Sequence, residues 1–92
     1  MNIKAVVIGE IGVKATRENI AAAYPRHRTI VDKYVAQGDI IMKGRFIDAI
    51  DGNMLIFKTR QAAEQYVKED PYILKGILKS YIIRDWAENM MP

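Results

Sequence analysis

Ile40-Ile41-Met42-Lys43-Gly44-Arg45-Phe46-Ile47, followed by Asp51-Gly52 and then Met54-Leu55-Ile56-Phe57-Lys58, is the stretch that decides the fold. Two runs rich in β-branched and aromatic residues flank an Asp-Gly pair, a dipeptide that favours the tight turn of an antiparallel hairpin. The reading is therefore strand Ile40 to Ile47, turn at Asp51-Gly52, strand Met54 to Lys58.

Upstream of the hairpin, Gly38 suits the left-handed residue that closes a helix. Before it, His27, Ile30, Val31, Tyr34 and Val35 recur at three- and four-residue spacings, which puts them on one face of a helix from Arg26 to Gln37. Pro25 disfavours helical geometry at the residue before it, so this main helix is predicted to start near Pro25. A short stretch capped by Thr16 is expected to break or kink there, after Tyr24. Further upstream, Ile3 to Gly9 is a β-branched run closed by glycine, with Gly12 just beyond: a first strand and a turn.

Downstream, Thr59 is a candidate N-cap for a helix carrying Ala62, Ala63, Tyr66 and Val67 on one face. Asp70-Pro71 fits a cap followed by proline in the first turn, so a short helix is expected to run to Gly76. Leu78 to Arg84 is the last strand, and Asp85 to Pro92 shows no clear period. The order is βαββαβ, which packs economically as a four-stranded antiparallel sheet with its helices on one face, an α+β arrangement.

The strands make a second prediction. A sheet with one wet face alternates apolar and polar residues, whereas Val6-Val7-Ile8, Met54 to Phe57 and Tyr81-Ile82-Ile83 are unbroken apolar runs. Helices cover one face; a second copy of the chain is the simplest cover for the other, which predicts a homodimer through the open sheet face.

At 92 residues, half of them hydrophobic and 27% charged, the chain has the balance of one folded domain, residues 1–92. It contains no cysteine, so a disulfide framework and a thiolate metal site are both ruled out. The first ten residues lack the basic flank and longer apolar core of a secretory signal. No stretch approaches the roughly 20 apolar residues of a membrane span, so a cytoplasmic location is expected. The net charge of +3 is spread along the chain rather than gathered into a basic arm, which favours a small anionic ligand over nucleic acid. RNA-recognition domains share the βαββαβ order but need exposed aromatic residues on the central strands, and the first strand here has none.

His27 is the only histidine, so any imidazole acid/base step near neutral pH must use it. Its place on an apolar helix face also suits a histidine at the core edge with one satisfied hydrogen bond. Asp70 is explained by capping alone, but one carboxylate oxygen can cap while the other faces a pocket. Lys43 and Arg45, two apart, share one face of their strand. They are either solvated charges that protect an edge strand or the lining of a pocket for a carboxylate or phenolate. Tyr81 and Trp86 either pack or wall an aromatic pocket. A lone histidine with scattered carboxylates has no metal-ligand spacing, and Gly9 and Gly12 make no phosphate-binding loop, so no metal and no cofactor are expected. Iron ligation by His27, as in a haem-degrading oxygenase of related architecture, has no other support in the sequence.

Pro25-Arg26-His27-Arg28, Gly38, Gly44, Ala62-Ala63-Glu64, Glu69-Asp70-Pro71-Tyr72 with Gly76, and Tyr81-Ile82-Ile83-Arg84-Asp85-Trp86 resemble the YCII-related pattern over nearly all of the chain from Pro25 to Trp86. The resemblance implies a ferredoxin-like fold that dimerises as an α/β barrel, with a histidine and an aspartate as catalytic pair; these positions fall on His27 and Asp70. Members include a dehydrochlorinase of a chlorinated hydroxyquinol, and most have no assigned reaction. One departure stands out: the family usually has Ala-Gly-Pro on the second strand, and this chain has Lys43-Gly44-Arg45. The expectation is a cofactor-free lyase or isomerase acting on a small anionic or cyclic oxygenated metabolite. The alternative is a non-catalytic module that binds such a molecule in the same pocket.

Overall fold

The computed structural model describes residues 2–47 and 52–89. Its elements run β1 (Asn2–Ile11), α1 (Arg17–Ala36), β2 (Ile40–Arg45), β3 (Gly52–Phe57), α2 (Arg60–Val67), α3 (Pro71–Leu74) and β4 (Leu78–Glu88). The strands form one antiparallel sheet in the order β2-β3-β1-β4, so the βαββαβ reading holds and α3 is added to its second helical segment. This is the ferredoxin-like α+β fold. Among the described residues no helix is long and apolar enough to cross a membrane.

Alternation along the strands sorts their side chains. Ala5 and Val7 of β1 and Leu55 and Phe57 of β3 pack against Ile30, Val31 and Tyr34 of α1 and Ala62, Ala63, Tyr66 and Val67 of α2. The opposite face carries Val6, Ile8, Met54, Ile56, Arg84 and Trp86, which line a cavity of about 350 Å³ that no helix covers.

Local chemistry sets the element ends. The Thr16 and Thr59 hydroxyls each accept the backbone N–H three residues on, from Asn19 and Ala62, at 3.1 Å. At the end of α1, Gly38 takes a φ of +79°, its N–H donates to the Val35 carbonyl, and the Asp39 N–H donates to that of Tyr34. That double bond is the Schellman closure, and it needs a residue without a Cβ.

Three expectations change. The break at Pro25 does not occur: α1 runs unbroken from Arg17 to Ala36 with Pro25 inside it. Pro25 and the neighbouring turn are solvent-exposed, so the carbonyl deprived of its helical donor lies where water can satisfy it. Buried Ala23 on one side and Ile30, Val31 and Tyr34 on the other anchor both halves. The last strand does not stop at Arg84 but continues to Glu88, because β1 pairs with it back to Asn2 and Lys4 bonds the Glu88 carboxylate. Finally, Gly52 is a strand residue: it pairs with Glu10, and an added Cβ would sit 1.9 Å from the Gly9 carbonyl oxygen. Close backbone approach explains this glycine; Asp51, its partner in the expected turn, lies outside the described residues.

Candidate active site

Asp70 is the most deeply buried charged residue of the described chain, with 1 % of its side chain exposed. It lies at the junction of α2 and α3, where the chain turns and Pro71 opens the new helix. Such a carboxylate has to find donors, and it finds three. Oδ1 accepts the Tyr72 backbone N–H at 3.0 Å and meets His27 Nδ1 at 2.8 Å. Oδ2 accepts the Tyr66 hydroxyl at 3.0 Å. Capping and the histidine contact therefore use the same oxygen, not one each as the sequence suggested; the second oxygen is taken by a tyrosine from α2.

His27 projects from the middle of α1 and keeps 16 % of its side chain exposed. A carboxylate that already accepts the Tyr72 N–H and the Tyr66 hydroxyl accepts from Nδ1 as well, so the neutral imidazole carries its proton on Nδ1 and its lone pair on Nε2. Among the described residues Nε2 has no hydrogen-bond partner, so the histidine is anchored at one nitrogen and available at the other. Tyr72 stacks on the ring, with centroids 3.8 Å apart and planes 8° from parallel, and Tyr24 lies tilted at 6.4 Å.

Behind the pair stands a column of aromatic residues. Tyr66 is fully buried and meets Tyr34 edge-on at 5.5 Å and Phe57 at 5.2 Å. Burial, then the nearby Asp70 charge, pushes the Tyr66 hydroxyl well above the ordinary phenol range, so it remains a donor. The residue before Asp70 is tied down as well: Glu69 is held by Lys33 at 2.8 Å and by the Tyr34 hydroxyl. These two contacts, the lysine foremost, bring the Glu69 carboxyl below its usual value.

The other expected site residues lie apart from this pair. Lys43 and Arg45 stand exposed on β2, an edge strand, in register with Leu55 and Asn53, and share one face as read. Tyr81 and Trp86 pair with Gly9 and Lys4, an odd number of residues apart on one continuous strand, so they point to opposite faces and do not wall one pocket within the chain. Trp86 lines the cavity of the open face; Tyr81 borders a smaller one with Phe46 and Ile82. His27 and Asp70 line neither of these cavities. Sequence reasoning missed Tyr66 as a donor and Tyr72 as the stacking partner. The available signals were a tyrosine one helical turn before Asp70 and an aromatic residue just after Asp-Pro.

The YCII-related domain family matches residues 5–87. The chain belongs to that family. Among proteins of curated function, none matches this YCII-related chain in sequence. Among solved structures it is similar to the 5-chloro-2-hydroxyhydroquinone dehydrochlorinase of Burkholderia phenoliruptrix AC1100, solved in complex with 2,5-dihydroxybenzoquinone. That match has a TM-score of 0.71 and 14% identity over 95% of both chains. A conserved protein of Methanosarcina mazei Go1 has a TM-score of 0.56 and 13% identity over 95% of this chain and 92% of its own. A protein of Arabidopsis thaliana has 0.53 and 11% over 98% of both. At these identities the likeness establishes a shared fold.

Proposed function

We propose that this YCII-related chain is a cofactor-free lyase or isomerase acting on a small anionic or cyclic oxygenated metabolite through His27 and Asp70. The observation that carries the reading is the buried carboxylate that engages His27 at Nδ1 and leaves Nε2 without a partner among the described residues. An imidazole so oriented is a general base in the required tautomer. In an elimination, Nε2 takes the proton from the carbon beside the one bearing the leaving group. The C–H electron pair becomes the new double bond, and the leaving group departs with its own pair. Asp70 balances the positive charge that appears on the imidazole. The likeness to a dehydrochlorinase supports a substrate of this class. Lys43, Arg45, Tyr81 and Trp86 are the remaining candidates for holding the ring and its negative charge, and a homodimer that closes the open sheet face, where Trp86 lies, accompanies the reading. A cytoplasmic location accompanies it.

The test is a panel of chlorinated and unchlorinated hydroxyquinols, including 5-chloro-2-hydroxyhydroquinone, followed by absorbance and halide release. His27→Ala should lower kcat by about 10²- to 10⁴-fold, the range of general acid–base contributions. Asp70→Asn should lower kcat with little change in KM. Turnover that is untouched by His27→Ala would sink His27 as the base. Binding without turnover would replace it with the small-molecule-binding module.

A further inference from the structure

Tyr72 holds two positions at once. Its backbone N–H caps the Asp70 carboxylate, and its ring lies parallel to His27 with centroids 3.8 Å apart. A phenol oxygen stands less than a ring's width beyond its own ring. A parallel stack this close therefore keeps the Tyr72 hydroxyl, whichever way the rings are turned in their planes, within the length of one small aromatic molecule from Nε2. The hydroxyl has no hydrogen-bond partner among the described residues, in contrast to Tyr66, Tyr34 and Tyr24, whose oxygens are all engaged.

The geometry points to Tyr72 as a further catalytic residue, whose hydroxyl donates a hydrogen bond to a substrate ring oxygen while His27 Nε2 removes a proton from a neighbouring position. This rests on the lyase reading above and narrows it, since the substrate class becomes a flat ring in its keto form, with a carbonyl oxygen next to the saturated carbon that carries the scissile C–H. No bond to Tyr72 is made or broken: the hydroxyl keeps its proton and stabilises the negative charge that grows on a ring carbonyl oxygen as the pair of the adjacent saturated C–H is released to form the enolate, which then expels the leaving group with its own pair. Its environment suits a donor, because burial, followed by the Asp70 charge, raises its pKa above that of an ordinary phenol. The stack gives a second reason for a planar ligand, since an aromatic platform beside the base presents a flat surface against which a ring can lie.

The experiment compares the parent with Tyr72→Phe, which keeps the stacked ring and removes only the oxygen. Two quantities are read: the affinity for 2,5-dihydroxybenzoquinone by calorimetry, and the tautomer of His27 from its imidazole ¹⁵N shifts. The expected result is an affinity about tenfold weaker, equivalent to one hydrogen bond to a charged oxygen, with the His27 tautomer and the melting temperature unchanged. A merely structural Tyr72 would shift the tautomer or the melting temperature and leave affinity alone. Equal affinity in the two proteins overturns the assignment, as does a parent that does not bind the probe. If the probe binds and Tyr72→Phe weakens it while no substrate turns over, the donor stands and the lyase reading fails. If turnover depends on His27 and is indifferent to Tyr72→Phe, the lyase stands and the donor fails.

Discussion

At the scale of single residues, Asp70 and His27 should differ sharply in what their loss does to folding. Asp70→Ala strips the acceptor from the buried Tyr66 hydroxyl, from the Tyr72 N–H and from His27 Nδ1. Leaving such donors unpaired costs about 3 kcal/mol or more in total. His27→Ala removes one of three donors at the protein's edge and should cost about 1 kcal/mol. Urea denaturation of the two variants checks the order, and the reverse order would contradict the burial described here. Tyr66 gives a pH dependence whose sign follows from its raised hydroxyl. The folded state favours the neutral phenol, so this contribution is complete below the unfolded value of about 10 and is lost as pH climbs beyond it. Stability should therefore fall from about pH 10 upward, and Tyr66→Phe should make that alkaline loss shallower in pH-dependent melting.

At the scale of elements, Pro25 sits in a helix that continues through it, so Pro25→Ala restores a backbone donor and should stabilise the protein by about 1–3 kcal/mol. A lower melting temperature in that variant would mean that the proline shapes α1 in some way the packing does not reveal. The tie between α1 and the segment linking α2 to α3 runs through Glu69, whose carboxyl is held low by Lys33 and then by Tyr34. A depressed carboxylate stabilises the fold above its unfolded value of about 4.5 and loses that contribution as pH falls through the folded one. Glu69→Gln should flatten the acid limb by less than about 1 kcal/mol, since the carboxylate is one-third exposed and screened by solvent. The β2–β3 pairing was legible from its two apolar runs, and the caps at Thr16, Thr59 and Asp70 and the Gly38 closure because each is decided by a few adjacent residues; the turn placed at Asp51-Gly52 was not, since Gly52 is a strand residue set by its close approach to Gly9. The course of α1 through Pro25 was not, since distant packing of Ala23 and Ile30 overrides a local preference. Nor was the end of β4, where Asp85 to Glu88 show no period of their own and are extended only because β1 supplies partners. At the site, His27 and Asp70 were readable as candidates, whereas the stacking of Tyr72 and the engagement of Tyr66 depend on how α1, α2 and α3 meet.

At the scale of the whole molecule, the helices cover one face of the sheet and leave Met42, Ile82 and Trp86 exposed on the other. A homodimer that buries this face should sediment as a single species of twice the monomer mass at micromolar concentration. Ile82→Lys, placing a charge in the middle of the apolar face, should yield a folded monomer with unchanged circular dichroism; a parent that sediments as a monomer would remove this assembly from the reading. Asp70 also bears on how relatives of this protein diverge. Because the same carboxylate closes a turn, satisfies a core tyrosine and steadies the imidazole, a descendant that abandons the chemistry is still bound by selection on folding to keep the aspartate. His27 is under no such obligation. If the proposed reaction is the one this fold performs, retention of the aspartate alone says nothing about activity, whereas loss of the histidine ends the chemistry.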